Sequence, residues 1–437
     1  MAATAGEKMA ELDASKEGFW RTRYSIIAMC FAATFVCYID RVNISVAIIP
    51  MSEDYGWNLE TQGYILSSFY IGYLMMQIGG GRLADTYGGK IVLGMGVLIW
   101  SLFTLITPWA AMGGLMMLYL ARIGMGLGEA VTFPSVYSLV TRWFPAGETA
   151  KAIAFNASAI PIGTVFALIV TPIIVTYLGW EWAFYLFGLV GVLWFAAWQY
   201  IVSTRPQDHP RISAAELDFI QSNARFSEAS EDQATPPIRE FLKSKAVWAI
   251  LVAHFCNNWT LYVILSWLPK YVNEGLGVPF GDIGYIAMLP HITSFLCLNV
   301  AGNIADRMIV SGMSVTKVRK IMQTIAFGGL AICLLLVTTV DTVWAAIGIL
   351  CLGKLFGAAG IGGFNVNHMD VAPRHAGTLM GITNTAGTIP GIVGVAVTGL
   401  ILEYTGSWDL VFRVTAGVTL FGMVFYLLFA SGEKEFD

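Results

Sequence analysis

The chain has 437 residues, of which 56% are hydrophobic and only 12% charged, and its mean hydropathy is +0.67. Soluble proteins carry about 25% charged residues, so this chain lacks the polar side chains to cover a water-facing surface and reads as a membrane protein. The net charge of −4 matters less than where the charges lie, and no nucleic-acid partner is expected. Cys30, Cys37, Cys256, Cys297, Cys333 and Cys351 sit in apolar runs without C-x-x-C spacing. They read as small buried hydrophobes, not as a disulfide or zinc framework.

The N-terminal "MAATAGEKMAELDASKEGFW" has no apolar signal-peptide core and carries Glu7, Glu11, Asp13 and Glu17, whereas transit peptides are poor in acids. It reads as a cytoplasmic tail, 1–21, with no cleaved targeting segment. Beyond it, apolar stretches long enough to cross a bilayer, about 20 residues each, recur twelve times. They cover 22–50, 61–83, 90–109, 112–143, 147–175, 180–203, 246–272, 279–305, 318–340, 342–369, 375–402 and 407–430. They are too long for barrel strands and do not alternate, so each reads as a helix.

Lys and Arg orient the spans. With both termini in the cytoplasm, 20 of the 25 basic residues fall on the cytoplasmic side and only Lys270 falls outside. Four lie within spans: Arg41, Arg122, Lys354 and Arg413. The expected setting is a bacterial inner (plasma) membrane.

After span 6 comes the one long polar segment, 204–245, in which "SAAE" (Ser213 to Glu216) predicts a capping box opening a short surface helix. It divides an N-terminal bundle, 22–203, from a C-terminal bundle, 246–430, followed by a tail, 431–437. The halves resemble each other. "GGRLADTYGGK" matches "AGNIADRMIV", and "PAGETAKAIAFNASAIP" matches "PRHAGTLMGITNTAGTIP". The expected fold is an all-α membrane protein of 12 transmembrane helices in two six-helix bundles. Such a duplication suits a transporter that rocks about a site between its halves at mid-membrane.

The loop "GRLADTYGGK", with Arg82, Asp85 and Lys90, resembles the signature of the major facilitator superfamily, and Asp306 and Arg307 stand in its second copy. The usual flanking basic residues are replaced by Thr86 and Gly89, which implies a thinner salt-bridge network in the first copy. A narrower resemblance covers nearly the whole chain. "DRVNISVAIIPMSEDYGW", "SSFYIGYLMMQIGGGRLAD", "GLGEAVTFP", "HFCNNW", "SVTKVRKIMQT" and "GGFNVNHMDVAPRHAGTLMGITNTAGTIPGIVG" are similar to the anion:cation symporter family. That family includes bacterial sugar-acid symporters, vesicular glutamate and sialic acid transporters, and plant type-4 phosphate transporters.

An ionisable residue at bilayer depth costs at least about 2.5–3.5 kcal/mol on insertion scales, so each has a use. Arg41 and Arg122 both fall about 15 Å from the outer face at 1.5 Å per residue. Two guanidiniums at one depth repel unless an anion or carboxylates lie between them. A carboxylate or phosphate suits their bidentate fork. The resemblance implies the same role, since both match arginines of substrate recognition; an ion pair with Asp40 or Glu129 is the structural alternative. Glu129 lies two turns from Arg122 on one helix face, in "GMGLGEAVTFP", where small residues allow close packing and Pro134 bends the helix. Asp40 and Glu129 are the expected proton-coupling groups. The family resemblance supports this, because the bacterial and plant members keep an acid before this arginine.

Further substrate-binding candidates are Tyr73, which matches a family tyrosine, and Tyr70 on its face. Asn257 and Asn258 lie at mid-depth of span 7, Thr383 and Asn384 in span 11, and Lys354 in span 10 could add a third positive charge. His368 and Asp370 in "NVNHMD" resemble a family feature with a gating or packing role. His254 and His291 read as core histidines, and the scattered histidines give no metal spacing. No nucleophile–base pair appears, so no enzyme, cofactor or metal is expected. The expected function is proton-coupled symport of a small organic anion, a sugar acid or other carboxylate, by a monomer. A sodium- or proton-coupled phosphate transporter is the alternative.

Overall fold

The computed structural model describes residues 21–223, 238–373 and 375–436. Nearly all of the expected N-terminal tail, the middle of the linker and the side chain of Asp85 lie outside the described residues. Among the described residues every regular element is helical. The first bundle contains α1 (Thr22–Tyr55), α2 (Leu59–Tyr87), α3 (Gly89–Met112), α4 (Leu115–Glu129), α5 (Thr132–Trp143), α6 (Ala146–Leu178) and α7 (Trp180–Ile201). The linker holds α8 (Ala214–Ser222). The second bundle contains α9 (Lys245–Lys270), α10 (Leu289–Val310), α11 (Val315–Leu336), α12 (Val343–Gly357), α13 (Phe364–Val371), α14 (Ala376–Thr405) and α15 (Trp408–Phe429).

Among the described residues, eleven helical segments are long and apolar enough to cross a membrane. The remaining one, α2, has 29 residues, enough to span at 1.5 Å per residue. It is less apolar because Ser67, Ser68, Tyr70 and Tyr73 are buried against other helices instead of facing lipid. All twelve expected spans are therefore helical. Large apolar side chains such as Met116, Leu193, Val300 and Phe421 stand exposed on the outside, as a bilayer-facing surface requires.

Three spans expected to be continuous are broken; span 8 is interrupted at Met288, between a short helix, Ile283–Ala287, and α10. Span 4 divides into α4 and α5 at Ala130–Val131. Pro134, in the first turn of α5, has no N–H to return to the Ala130 carbonyl. Span 10 passes from α12 through a 3-10 segment, Ala358–Gly362, into α13. Irregular backbone at this depth needs internal partners. Gln323 Oε1 accepts from Phe364 N at 3.0 Å, and Arg319 Nη1 donates to Gly362 O at 3.1 Å.

The expected surface helix of the linker is instead docked. Ser213 caps α8 by accepting from Glu216 N at 3.1 Å. The Glu216 carboxylate does not complete a capping box. It accepts from Thr22 N at 2.9 Å, Arg23 N at 3.1 Å and Arg23 Nη1 at 3.1 Å, closing the first turn of α1. Those orphan donors and a buried guanidinium are stronger partners than one exposed N–H. Arg23 also holds Glu148 on α6 at 3.0 Å. At the other end, Glu435 N and Phe436 N donate to Val371 O, so the C-terminal tail lies against α13.

The bundles meet along α2 and α14, α1 and α9, and α6 and α10. At the end away from the termini, Glu403 Oε2 accepts from Leu59 N at 2.8 Å, and Gly63 and Gly399 meet backbone to backbone. Toward mid-membrane, the Tyr70 ring fills the place a Cβ on Gly391 would take, 2.4 Å away, and Thr388 Oγ1 donates to Gln77 Oε1 at 2.9 Å. Nearer the end of the same helices where the termini lie, a Cβ on Gly81, Gly377 or Gly381 would meet nothing within 4 Å. Contact between α2 and α14 is thus tight at the end away from the termini, the outer end in the expected topology.

Candidate functional site

The close approach of α4 to α2 builds the site. A Cβ on Gly126 would fall 2.0 Å from Phe69 O, so only glycine permits this contact. It sets Arg122 and Glu129 of α4 beside α1. Asp40 and Arg41 are successive helical positions, about 100° apart around the axis at 3.6 residues per turn, and they point to different partners.

Arg41 reaches Glu129. Its Nη2 and Nε lie 2.8 Å and 3.2 Å from Glu129 Oε2, and Cys37 Sγ is 3.1 Å from the same oxygen. Three rings surround the Arg41 guanidinium, those of Tyr38 at 4.9 Å, Phe69 at 4.9 Å and Tyr73 at 5.0 Å, an aromatic cage for a cation. Asp40 turns away to α3, where its Oδ2 accepts from Trp100 Nε1 at 3.1 Å.

Arg122 forms no ion pair among the described residues. Its Nη1 lies 3.2 Å from Met125 Sδ, its Nε has no partner, and its guanidinium stands 5.3 Å from the Phe69 ring that also faces Arg41. Asp40 Oδ1 and Glu129 Oε1 are likewise buried without partners. Two acids and two arginines therefore lie buried near one another with a single ion pair between them. An uncompensated buried charge costs several kcal/mol, and Arg122 has no counter-ion among the described residues to offset it.

The opposite wall is polar but uncharged. Tyr262 on α9 lies 4.5 Å, centroid to centroid, from the Tyr70 ring. Asn258 donates to Gly387 O at 2.8 Å and accepts from Asn257 Nδ2 at 3.1 Å. Asn257 and Asn384 are half-buried. Thr383 does not join this wall and bonds two histidines instead, His254 at 3.2 Å and His368 at 2.8 Å. Nor does Lys354 join the arginines. It lines a small void with Thr260, Ile264, Pro290 and Cys333 inside the second bundle, because α12 packs on α10 and α11 of its own half.

The expected gating residues fall at the inner end. Asp370 is held within its bundle by Arg319, Nε to Oδ2 at 2.7 Å, which is a packing role in this state. Arg82, Asp306 and Arg307 are exposed, Lys90 is half-buried, and none of the four forms an ion pair among the described residues. The described residues contain no group of three or more His, Cys, Asp or Glu able to hold a metal ion.

The sequence reading missed Cys37, Tyr38, Phe69 and Trp100. Cys37 precedes Arg41 by four positions and Phe69 precedes Tyr73 by four, spacings that put each pair on one helix face. Trp100 carries no such mark, since a lone aromatic in an apolar span is indistinguishable from lipid-facing or core packing.

Residues 30–395 match the family model of the Major Facilitator Superfamily. The chain is 40% identical over 417 residues to the chloroplastic ascorbate transporter of Arabidopsis thaliana, covering 95% of this chain and 76% of that one. It is equally 40% identical over 415 residues to the chloroplastic sodium-dependent phosphate transport protein 1 of the same plant, covering 95% of this chain and 80% of that one. A crystal structure of a D-xylose–proton symporter superposes with a TM-score of 0.73 at 15% identity, covering 94% of this chain and 99% of that chain, which shows a shared fold. The chain belongs to the Major Facilitator Superfamily: it is a multi-pass membrane transporter, not an enzyme, and its relatives carry anions.

Proposed function

We propose that the protein is a symporter that carries a small organic anion, a sugar acid or another carboxylate, together with protons by alternating access. The observation that carries this reading is the unequal state of the two arginines: Glu129 occupies Arg41, while Arg122 has no counter-ion. A proton on Glu129 weakens its charge-assisted hold on Arg41, and both guanidiniums can then grip one anion across Phe69. Asp40, with one bond from Trp100 and one orphan oxygen, is the second proton carrier. With both carboxyls protonated the chamber carries two positive charges, matched to an anion of charge −1 or −2. Tyr70, Tyr73, Asn257, Asn258 and Asn384 line the path. Coupling is needed because a negative-inside potential opposes each anionic charge by about 2.3 kcal/mol per 100 mV.

Sodium-coupled phosphate transport is the second reading, favoured by the name of the relative that is 40% identical, and the two arginines suit phosphate equally. A monomer with both termini in the cytoplasm, in a bacterial plasma membrane, completes the proposal; the two named relatives are chloroplastic and lend that membrane no support.

Proteoliposomes tested with labelled sugar acids, ascorbate and phosphate distinguish the readings. An imposed inward proton gradient is expected to drive uptake of a carboxylate, and Arg122→Ala to abolish it. Uptake that follows sodium alone, or that survives Arg122→Ala, overturns the proposal.

A further inference from the structure

The second bundle contains a polar cluster that the arginine chamber does not use. His254 on α9, His368 on α13 and Thr383 on α14 are all buried. Thr383 Oγ1 lies 3.2 Å from His254 Nδ1, 2.8 Å from His368 Nε2 and 3.2 Å from Met380 O. His368 Nδ1 lies 3.1 Å from Asn365 O.

A carbonyl only accepts, so the hydrogen-bond inventory fixes the tautomer. His368 Nδ1 carries a hydrogen for Asn365 O in every state. In the neutral ring Nε2 is then bare, and it takes the Thr383 hydroxyl hydrogen. While His368 is neutral, His254 Nδ1–H donates to the other lone pair of Thr383 Oγ1. In the imidazolium Nε2 donates to Thr383 Oγ1, and the hydroxyl turns its hydrogen to the bare Nδ1 of His254, which then carries its hydrogen on Nε2. The cluster leaves none of these atoms orphaned whether or not His368 is charged. Burial ordinarily makes the charged form costly because its donors lose water, and here two accepting oxygens replace it.

His254 connects this cluster to the chamber. His254, Asn258 and Tyr262 recur every four residues on one face of α9, and the Tyr262 ring packs on Tyr70. His254 Nε2 has no hydrogen-bond partner among the described residues and borders Gly387, whose carbonyl holds Asn258. The charged neighbours are engaged elsewhere. On α11, Arg319 is held by Asp370; on α1, Asp40 and Arg41 are held by Trp100 and Glu129. On α15, the Tyr426 hydroxyl accepts from Asn367, and Glu435 of the tail reaches α13 only through its backbone N–H.

We infer that His254, Thr383 and His368 form a second proton-binding site, separate from Asp40 and Glu129, in which the Thr383 hydroxyl hands a proton from one imidazole to the other. A proton adds to His254 Nε2. The His254 Nδ1–H then transfers to Thr383 Oγ1, and the hydroxyl's own hydrogen passes to His368 Nε2. His254 ends neutral, His368 ends as the imidazolium, and one proton has moved from the chamber side toward the cytoplasmic end of the second bundle. That charge lands beside the break in span 10 and at the start of α14, the helix that closes on α2. The site itself stands on geometry; its use in transport rests on the proton-coupled reading.

The full-length protein, labelled with ¹⁵N-histidine and held in nanodiscs, tests the site without any substrate. Its five histidines are assigned with His254→Gln and His368→Gln. At high pH the His368 signal is expected to report the Nδ1–H tautomer, converting to the imidazolium as the pH falls. Thr383→Val should move that conversion by about one pH unit, the equivalent of 1.36 kcal/mol between protonation states, and Thr383→Ser should restore it. A neutral Nε2–H tautomer, or imidazole signals indifferent to Thr383→Val, overturns the site. In proteoliposomes the probe is whichever of ascorbate, phosphate or a sugar acid the unmodified protein accumulates under a proton gradient. His368→Gln is expected to flatten the pH profile of its uptake while leaving exchange of the same anion intact. An unchanged profile overturns the role in transport. If the unmodified protein shows no proton-driven uptake, the symport reading fails, and the tautomer measurement still decides the site.

Discussion

In the proposed cycle Glu129 and an incoming anion compete for the Arg41 guanidinium. Glu129 Oε2 accepts from Arg41 Nη2, Arg41 Nε and Cys37 Sγ, while its Oε1 is buried without a partner. Half the carboxylate is fully engaged and half is not, so a proton on Oε1 gains a site without breaking an existing bond. Glu129→Gln mimics the protonated state. Removing one partner of a buried pair typically costs about 3–5 kcal/mol, so the variant should melt earlier than the parent. A bound anion should recover most of that loss, because it replaces the missing charge beside Arg41. Hydrogen bonds to charged groups contribute about 1.5–3 kcal/mol, so anion affinity at neutral pH should rise about tenfold or more and cease to depend on pH. Proton-driven accumulation should vanish while exchange persists. Thermal-shift titrations at two pH values, beside uptake and exchange assays, check all three; a pH dependence of binding equal to the parent's contradicts the coupling role.

At this scale the sequence shows which residues are charged at bilayer depth, and little of how they pair. Arg41, Arg122, Asp40 and Glu129 stand out because the other charged residues of their spans, Arg23 and Arg142, lie at the ends. The Arg41–Glu129 pair appears there only as a structural alternative to substrate contact, yet it is the bond that is made. Rise per residue gives depth along each helix but not the relative rotation of two helices, and that rotation depends on contacts such as Gly126 on Phe69 O. Lys354 illustrates the same limit, since its depth suits the arginines while its side chain borders a small void within the second bundle.

Among the elements, α2 and α14 join the two bundles at the end away from the termini. They meet where α14 has no side chain: the Tyr70 ring occupies the space in front of Gly391, and Tyr70 is backed in turn by Phe69 and Tyr262. A methyl at position 391 would lie 2.4 Å from the ring. Overpacking of this kind costs typically about 1–3 kcal/mol, and the bundles can relieve it by parting at the outer end. Gly391→Ala should therefore shift the population toward an outward-open state and lower the uptake rate. Spin-label distances between the outer ends of α2 and α14 should lengthen, and adding Tyr70→Ala should reverse the shift. Unchanged distances in Gly391→Ala contradict this account. The twelve spans are legible from their apolar length, but the breaks in spans 4 and 10 are not. Pro134 hints at the first. The second depends on Gln323 and Arg319 satisfying freed backbone groups from a neighbouring helix, a non-local condition that no window of sequence displays. Glu216 misleads for the same reason, because its partner is the start of α1 nearly two hundred positions away.

For the whole molecule, the two bundles need to exchange which end is closed, and the outer closure seen here has few polar ties. Leu59 N to Glu403 Oε2 is one, Thr388 to Gln77 another and Tyr70 to Ser266 a third, beside small residues and aromatic rings in contact. A closure made of surface complementarity can be released by a modest differential in binding energy between states, whereas a dense ion-pair network would hold it shut. Leu59→Cys with Glu403→Cys places two thiols at the outermost of these contacts. Oxidation should lock the outer end, stop uptake into whole cells or right-side-out vesicles, and be reversed by reductant. In the proposed cycle anion binding offered from the opposite face should survive the lock, since the lock closes only the outer end. Inside-out vesicles therefore supply the decisive comparison. If the locked protein binds anions from neither face, or still transports, then the outer contacts are not the gate.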